Sequence, residues 1–194
     1  MVKAYTTLNK IKREYECHKF YKLLIIALKK QKPDDEPLSL RVIMEHVGLE
    51  HALLCLKTLD DKYKKDIAKY AIDCAENVLD VYEASNPKDL IPRKTVDIAN
   101  TLLNQKTPKK SDVSKLSSFA DKLFQKVKSS CDAPFYSVAT CANAAYATCE
   151  AFREDRQSGD IAYDTYFAAW SANAIKANIQ RDLFIKHFDY IYEH

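Results

Sequence analysis

The sequence predicts an all-α fold, a single domain over residues 1–194 built from about seven to nine helices, with an alanine-rich helical pair near the C-terminus. Three observations predict it. The 194 residues are 47% hydrophobic, which is enough to bury one core, and Gly48 and Gly159 are the only glycines. Apolar residues also recur at three- and four-residue intervals. So few glycines disfavour tight β-turns, and this spacing is typical of amphipathic helices.

The first predicted element is a basic N-terminal helix within residues 1–32, running from about Leu8 to Gln31. Lysines occupy most of its polar positions, and its apolar positions include Leu8, Ile11, Tyr15, Leu23 and Ile26. Pro33 and Pro37 follow, and proline does not continue a helix. The helix is therefore expected to end before Pro33.

Residues 39–105 are predicted to form a helical core. Ser39 caps a short helix to about Val47, and Gly48 separates it from a second one over Leu49–Thr58. This outline resembles a helix-turn-helix, but the second helix is almost entirely apolar and leaves no polar face to read bases. Asp60 or Asp61 then caps a long helix through Ala84.

A proline-bounded turn joins that long helix to the next one, in the stretch DCAENVLDVYEASNPKDLIPRKTVDIA. Pro92 suits the first turn of a helix, which is expected to reach Asn104. Glu76 lies on the otherwise apolar side of the long helix, where a carboxylate needs a partner, and Arg93 is the natural candidate. We predict a buried or half-buried Glu76–Arg93 pair that fixes the hairpin, with the structural motif residues Asp73, Cys74, Glu76, Pro92 and Arg93.

Residues 111–194 are predicted to form alanine- and aromatic-rich helices. Ser111 caps one to about Ser129, a second follows Pro134 to about Asp155, and the last two cover Asp160–Asn178 and Arg181–Tyr192. Offset by thirty positions, Tyr136, Ala139, Ala142, Asn143, Ala144 and Ala147 align with Tyr166, Ala169, Ala172, Asn173, Ala174 and Ala177. Small residues at this spacing let helices pack closely, against each other or against other neighbours. Internal duplication and chance similarity both explain the alignment. The final aromatics (Phe184, Phe188, Tyr190, Tyr192) suit a core, a dimer interface or a binding hot spot equally well.

The hairpin contains the motif residues Cys74-Ala75-Glu76, Val78-Leu79, Tyr82-Glu83, Pro87, Asp89, Pro92-Arg93-Lys94 and Ala99. In these residues the chain resembles the immunity-five-like class of bacterial immunity proteins. The resemblance extends loosely from Gly48 to Asn178, and only Glu76 to Arg93 is specific. It implies a small helical domain of bacteria and their phages that neutralises a toxin by binding it, without catalysis. The lysine-rich first helix, and Asn143 and Asn173 among the alanines, depart from the pattern.

The motifs of common enzyme classes are missing from the sequence. Two distant glycines exclude glycine-rich nucleotide loops, and neither G-x-S-x-G nor H-E-x-x-H occurs. The five histidines are scattered, and the six cysteines lack C-x-x-C spacing and lie mostly at apolar helical positions. We therefore predict no catalytic residues, no cofactor and no metal site, and we expect the cysteines to be buried thiols.

Positive charge is concentrated in two segments. Residues 1–32 hold nine basic and two acidic side chains, and residues 101–130 hold seven lysines and two aspartates. If both segments share a face, they form a candidate contact surface for phosphates or an acidic protein, represented by Lys19, Lys22, Lys109, Lys110, Lys122 and Lys126. Lysines outnumber arginines there, which disfavours bidentate reading of bases.

These observations predict a non-catalytic cytoplasmic protein-binding factor of bacterial or phage origin. The N-terminal segment lacks the apolar stretch of a secretory signal, and no apolar run is long enough to span a membrane. The expected partner is a toxin or a host or defence protein, bound stoichiometrically in an immunity or counter-defence role. The alternative is a nucleic-acid-associated accessory protein that uses the lysine-rich helices. The oligomeric state stays open, and a homo-oligomer is compatible with the sequence.

Overall fold

The computed structural model describes residues 4–15, 19–127, 133–153 and 155–188. The all-α prediction is confirmed, and these residues contain ten α-helices, one more than the upper expectation, because the first predicted helix is described as two segments. The helices are α1 Leu8–Tyr15, α2 Lys19–Ala27, α3 Leu40–Val47, α4 Leu49–Leu54, α5 Lys64–Ser85, α6 Ile91–Leu103, α7 Lys110–Val127, α8 Ala133–Ala151, α9 Ser158–Asn173 and α10 Ala177–Phe188. Short 3₁₀ turns at Cys55–Thr58 and Asp61–Tyr63 link α4 to α5.

The N-terminal region differs from the predicted single helix over Leu8–Gln31. Helix α2 ends at Ala27, because Lys29 adopts a left-handed backbone with φ of 52°. Leu8 and Ile11 are buried as predicted, but Leu23 and Ile26 are exposed, and α2 buries Phe20, Tyr21 and Leu24 instead. The buried stripe of α2 therefore does not continue the phase of α1, and residues 16–18 between them lie outside the described part of the chain.

A small sheet, which the sequence did not predict, precedes α3. Tyr5–Thr6 and Leu38–Ser39 pair as antiparallel strands β1 and β2. Strands of two residues are too short to show an alternating pattern. Ser39 also caps α3, as predicted, because its hydroxyl accepts a hydrogen bond of 3.2 Å from the Val42 amide. Gly48 separates α3 from α4 at a φ of 91°, which glycine tolerates best.

Helix α5 runs through the middle of the fold and packs against α6, α8, α9 and α10. Its buried positions include Ile67, Tyr70, Ala71, Cys74, Val78 and Leu79. The alanine-rich helices α8 and α9 pack against each other as well as against α5. Their small side chains, including Ala142, Ala145, Ala168, Ala169 and Ala172, are fully buried. The packing of α8 on α9 therefore has the close approach that small residues permit.

Several helix ends fall a few residues from their predicted positions. Helix α7 begins at Lys110, so Ser111 is inside the first turn and is not the cap that was predicted. Helix α9 begins at Ser158, where Gln157 and Asp160 form a capping box: the Gln157 amide donates to Asp160 Oδ2 at 3.0 Å. Phe184 and Phe188 of α10 are fully buried against Tyr70, which assigns them to the core. Ser129, Tyr190 and Tyr192 lie outside the described residues.

The predicted Glu76–Arg93 pair is wrong. Arg93 Nε and Nη2 donate to Glu83 Oε1 and Oε2 at 2.8 and 2.7 Å, which makes a bidentate pair across the α5–α6 turn. Glu76 is exposed and accepts a hydrogen bond from Asn100 of α6. Since α5 and α6 run antiparallel, moving seven residues back along α5, from Glu83 to Glu76, corresponds to moving from Arg93 to Asn100. Arg93 at the start of α6 therefore reaches only the last turn of α5.

Candidate functional site

One side of α9 presents aromatic rings to solvent. Tyr163 is 66% exposed and Trp170 is 48% exposed, with Phe167 between them and Tyr166 half-buried beside it. The spacing of three and four residues places these side chains on one side of the helix, while the alanines on the other side are buried. We refer to Tyr163, Tyr166, Phe167 and Trp170 as the aromatic face.

Neighbouring groups hold the rings of the aromatic face in place. Phe167 meets Tyr163 and Tyr166 edge to face, with ring centroids 4.8 and 5.5 Å apart. Tyr136 of α8 meets Trp170 in the same way at 6.1 Å. The Tyr166 hydroxyl donates to Glu50 Oε1 of α4 at 3.1 Å. Rings that are already ordered lose little side-chain entropy when a partner covers them, which favours binding.

A cleft of about 790 Å³ adjoins the N-terminal half of the aromatic face. Its apolar wall includes Tyr15, Leu53, Leu54, Tyr163 and Phe167. Its charged lining consists of four carboxylates and two cations: Glu50, Glu150, Asp160, Asp164, Lys57 and Arg156. We refer to this feature as the acidic cleft.

Both cations of the acidic cleft already have carboxylate partners. Lys57 Nζ lies 2.8 Å from Glu14 Oε2, and Arg156 Nε lies 2.9 Å from Glu150 Oε2. Arg156 Nη1 is also 3.5 Å from Asp160 Oδ1. Gly159 allows α9 to lie close to Lys57, since a Cβ on Gly159 would stand 3.1 Å from Lys57 Cγ. The cations of the cleft therefore leave part of its negative charge unbalanced.

Asp164 is a carboxyl group of the cleft that pairs with neither Lys57 nor Arg156. No ion pair joins it to a cation within the described ranges. Burial raises the pKa of Asp164 to about 7, the nearby carboxylates of Glu150 and Asp160 add to the rise, and Arg156 opposes it. Asp164 is therefore only partly ionised near neutral pH.

The hairpin motif makes structural contacts. Asp89 in the α5–α6 turn accepts hydrogen bonds from the Tyr82 hydroxyl at 2.7 Å, from the Ile91 amide at 3.1 Å and from Lys126 of α7. Burial acts to raise the pKa of Asp89, but the bonds from Lys126 and Tyr82 outweigh it, and the pKa is lowered. The motif therefore ties α5, α6 and α7 together.

The other motif residues lie inside the fold or along α5. Asp73 accepts from Lys69 and lies 2.7 Å from His187 Nε2 of α10. Burial acts to raise its pKa, but the bonds from His187 and Lys69 outweigh it and the pKa is lowered. Cys74 is fully buried, and Pro92 is buried at the start of α6.

The six lysines of the predicted contact surface occupy two separate regions. Lys19 and Lys22 are exposed on α2, which packs against α1 and α3, whereas the others lie at or along α7, which packs against α6 and α8. Lys109 and Lys110 are exposed at the start of α7, and Lys122 Nζ stands 5.5 Å from the centroid of the Phe119 ring. Lys126 forms an ion pair with Asp89.

Lys110 also lines a basic cleft of about 930 Å³ between the start of α7 and the end of α8. Its other cationic side chains are Lys64, Lys65, Lys106 and Arg153, and the carboxylates of Glu150 and Asp155 also line it. Lys65 donates to the Gln105 carbonyl at 2.8 Å and lies over the Phe152 ring, while Arg153 is paired with Asp155 at 3.0 Å. Several of these charges are therefore engaged within the protein.

The described cysteines are buried thiols. Cys55, Cys74, Cys141 and Cys149 are free and buried, as predicted, and burial raises the pKa of Cys141 and Cys149 to about 12. Cys17 and Cys131 lie outside the described residues. In the part of the chain that the structure describes, no cluster of three or more His, Cys, Asp or Glu is arranged to hold a metal ion. In the same part, no helix is long and apolar enough to cross a bilayer.

The exposure of the aromatic face was not predicted from the sequence. The signal was present, since aromatics at positions 163, 166, 167 and 170 interrupt an alanine-rich helix at helical spacing. Periodicity could not say which side of α9 packs inward, because alanines and aromatics are both compatible with a core. Only the position of α9 against α5 and α8 leaves the aromatic side uncovered.

Comparison with known proteins gives one family match. The model of the Imm-5 like putative immunity protein family matches residues 57–132, which include α5, α6 and α7 with the hairpin. No curated protein and no solved structure shows significant similarity to the chain. The matched segment does not include the aromatic face on α9. The resemblance to the immunity-five-like family is therefore confirmed over residues 57–132 of this chain.

Proposed function

We propose that this protein is a non-catalytic factor that binds another protein stoichiometrically, in a toxin-immunity or counter-defence role within the cytoplasm of a bacterium. The observation that carries the proposal is the aromatic face, where Tyr163, Phe167 and Trp170 remain exposed on a helix whose other side is packed. The family match over residues 57–132 supports the immunity role.

Energetic considerations favour the aromatic face over the predicted lysine surface as the main contact. Tyrosine and tryptophan are enriched among the residues that dominate binding energy, whereas lysine is depleted in the centres of interfaces. Lysines on a solvated helix contribute mainly to the rate of encounter. We therefore assign the lysines of α2 and α7 a secondary role in steering.

The test is capture of the partner with the tagged full-length chain, followed by reconstitution of the purified pair. Trp170 is the only tryptophan of the chain, so a partner that covers it should shift its emission to shorter wavelength. We expect Tyr163→Ala and Trp170→Ala each to weaken binding by about tenfold or more, as is typical of aromatic hot spots.

Phe124→Ala supplies the matched control, because Phe124 is also exposed, at 42%, and lies on α7, which packs against α6 and α8. It should bind as tightly as the natural chain. Circular dichroism would establish that all three variants are folded. Binding that survives Tyr163→Ala and Trp170→Ala but is lost with Phe124→Ala would contradict the assignment of the surface.

The basic cleft supports the second candidate, a nucleic-acid-associated accessory protein. Lys64, Lys65, Lys106 and Lys110 converge there, and Ser114 and Ser117 add hydroxyl groups that suit phosphate oxygens. In that case, binding to a single-stranded oligonucleotide should weaken steeply with added salt, and Lys106→Ala with Lys110→Ala should reduce the slope. Retention of a stoichiometric protein after nuclease treatment, with no nucleic acid bound, would reject this candidate.

A further inference from the structure

We infer that the acidic cleft receives a lysine or arginine side chain of the protein partner, which docks beside the aromatic face between Asp164 and Glu50. This inference rests on the proposed function, since it names the chemistry that the partner must present at that surface.

The cleft has the two parts that a long cationic side chain needs. Leu53, Leu54 and Phe167 provide apolar surface for the methylene stem, while the carboxylates of Glu50 and Asp164 provide acceptors for the charged end. The exposed ring of Tyr163 lies in the same lining and offers a face over which a cation is attracted. A cleft of about 790 Å³ is ample for one side chain.

The charges of the cleft select a cation over an anion or a neutral group. The two cations of the cleft are already in ion pairs. Lys57 is paired with Glu14, and Arg156 is paired with Glu150 and Asp160. Among the described residues, Asp164 has no cationic partner, and the one hydrogen bond that Glu50 accepts there comes from the neutral hydroxyl of Tyr166. An incoming lysine or arginine would supply the missing positive charge, whereas an acidic group would meet repulsion.

The state of Asp164 makes binding depend on pH. Burial raises the pKa of Asp164 to about 7, and a cation binds the ionised carboxylate in preference to the neutral acid, so affinity should rise as pH increases through this range. No histidine is among the residues that line the cleft. The titratable and charged groups that interact with Asp164 are Asp160 on its own helix, Tyr146, Cys149 and Glu150 on α8 and Arg156 in the preceding loop. The others that line the cleft are Tyr163 and Tyr166 on α9, Lys57 in the 3₁₀ turn after α4, Glu50 on α4 and Tyr15 on α1.

The experiment uses three short probes and the full-length chain. They are acetyl-leucyl-arginyl-leucinamide, its lysine counterpart and its citrulline counterpart, which keeps the shape of arginine without the charge. Binding is followed by amide and side-chain carboxyl NMR at pH 6 and pH 8. We expect the arginine and lysine probes to shift the signals of Tyr163, Asp164 and Phe167, with the citrulline probe about fivefold weaker or worse.

Asp164→Asn is the decisive variant, and Asp182→Asn on the exposed side of α10 is its control. Asp164→Asn should weaken binding of the arginine probe by about fivefold at pH 8 and remove the difference between pH 6 and pH 8. Asp182→Asn should change neither the affinity for the arginine probe at pH 8 nor the difference in affinity between pH 6 and pH 8. Equal binding of arginine and citrulline probes, shifts that map elsewhere, or no saturable shift at all would overturn the inference.

The two proposals can fail separately. A captured partner that covers Trp170 but places no lysine or arginine in the cleft would reject the inference and leave the proposed function standing. Probes that bind as described, with no stoichiometric protein retained by the tagged chain, would support the cation site and reject the proposed function.

Discussion

Arg93 and Glu83 form a bidentate ion pair across the turn between α5 and α6, with Nε–Oε1 and Nη2–Oε2 distances of 2.8 and 2.7 Å. The side chains are 42% and 32% exposed, so solvent screens part of the attraction. The pair orders the turn next to Pro92, within the segment that matches the immunity family. The sequence pattern predicts Glu76 as the partner of Arg93, whereas the structure has Glu83 in that place.

Removal of the Arg93–Glu83 pair should lower stability modestly. We expect Arg93→Ala to cost about 0.5–1 kcal/mol, which for a chain of this size corresponds to a fall of roughly 1–4 °C in Tm. Glu83→Gln should have a similar effect, and Glu76→Gln, the matched control, should have almost none. Thermal unfolding followed by circular dichroism measures all three. A larger loss for Glu76→Gln than for Glu83→Gln would contradict the pairing.

Asp89 should make stability sensitive to acid. Its pKa is lowered in the folded state, so its bonds to Tyr82 and Lys126 contribute fully above the pKa of the unfolded chain and are lost as pH falls below it. Asp89→Asn should therefore cost about 1–2 kcal/mol near pH 7, and the difference from the natural chain should shrink below about pH 4. Urea unfolding across this pH range would reveal it. A constant difference at all pH values would show that the charge of Asp89 is not the cause.

Ionisation of Asp164 should lower stability as pH rises, which is opposite to the effect of Asp89. The folded pKa of Asp164, about 7, lies above the unfolded value, so the native state holds more protons and loses stability as pH rises between about 4 and 7. Asp164→Asn should therefore stabilise the chain by roughly 1–2 kcal/mol more at pH 8 than at pH 5. Chemical unfolding at the two pH values tests this. A variant that is less stable at pH 8 would mean that Asp164 is paired.

Truncating a buried aromatic residue near the C-terminus should cost more stability than truncating an exposed one. Phe184 is fully buried against Tyr70, so Phe184→Ala should cost about 3–5 kcal/mol. Trp170 is half-exposed, and Trp170→Ala should cost less than about 1 kcal/mol. Urea midpoints compare the two directly. Similar losses for both would indicate that the aromatic face is part of the core.

The buried thiols should be protected from reagents until the chain unfolds. In a variant with Cys17→Ser and Cys131→Ser, the four remaining cysteines are all buried. Ellman's reagent should therefore react with none of them in buffer and with all of them in denaturant, because a buried, protonated thiol is a poor nucleophile. Rapid labelling of the native variant would show that the core opens on the time scale of the assay.

The sequence by itself determined the features that depend on residues a few positions apart. Ser39 caps α3, Gly48 breaks the chain after it and Pro92 stands in the first turn of α6, because these effects act through the backbone of one turn. The apolar positions that form a buried stripe along α5 were also predicted from the sequence. These local signals were sufficient for the all-α class and for most helix positions.

Only the tertiary structure decided which groups meet and which sides stay uncovered. Glu76 and Glu83 lie two turns apart on α5, about 10 Å along the axis. Because α6 runs antiparallel to α5, Arg93 contacts Glu83 and Asn100 contacts Glu76. The shift of the buried stripe to Phe20 and Leu24, and the exposure of Trp170 while Phe184 is buried, likewise follow from packing. Helical period fixes the sides of a helix, but which side is buried depends on neighbours that are distant in sequence.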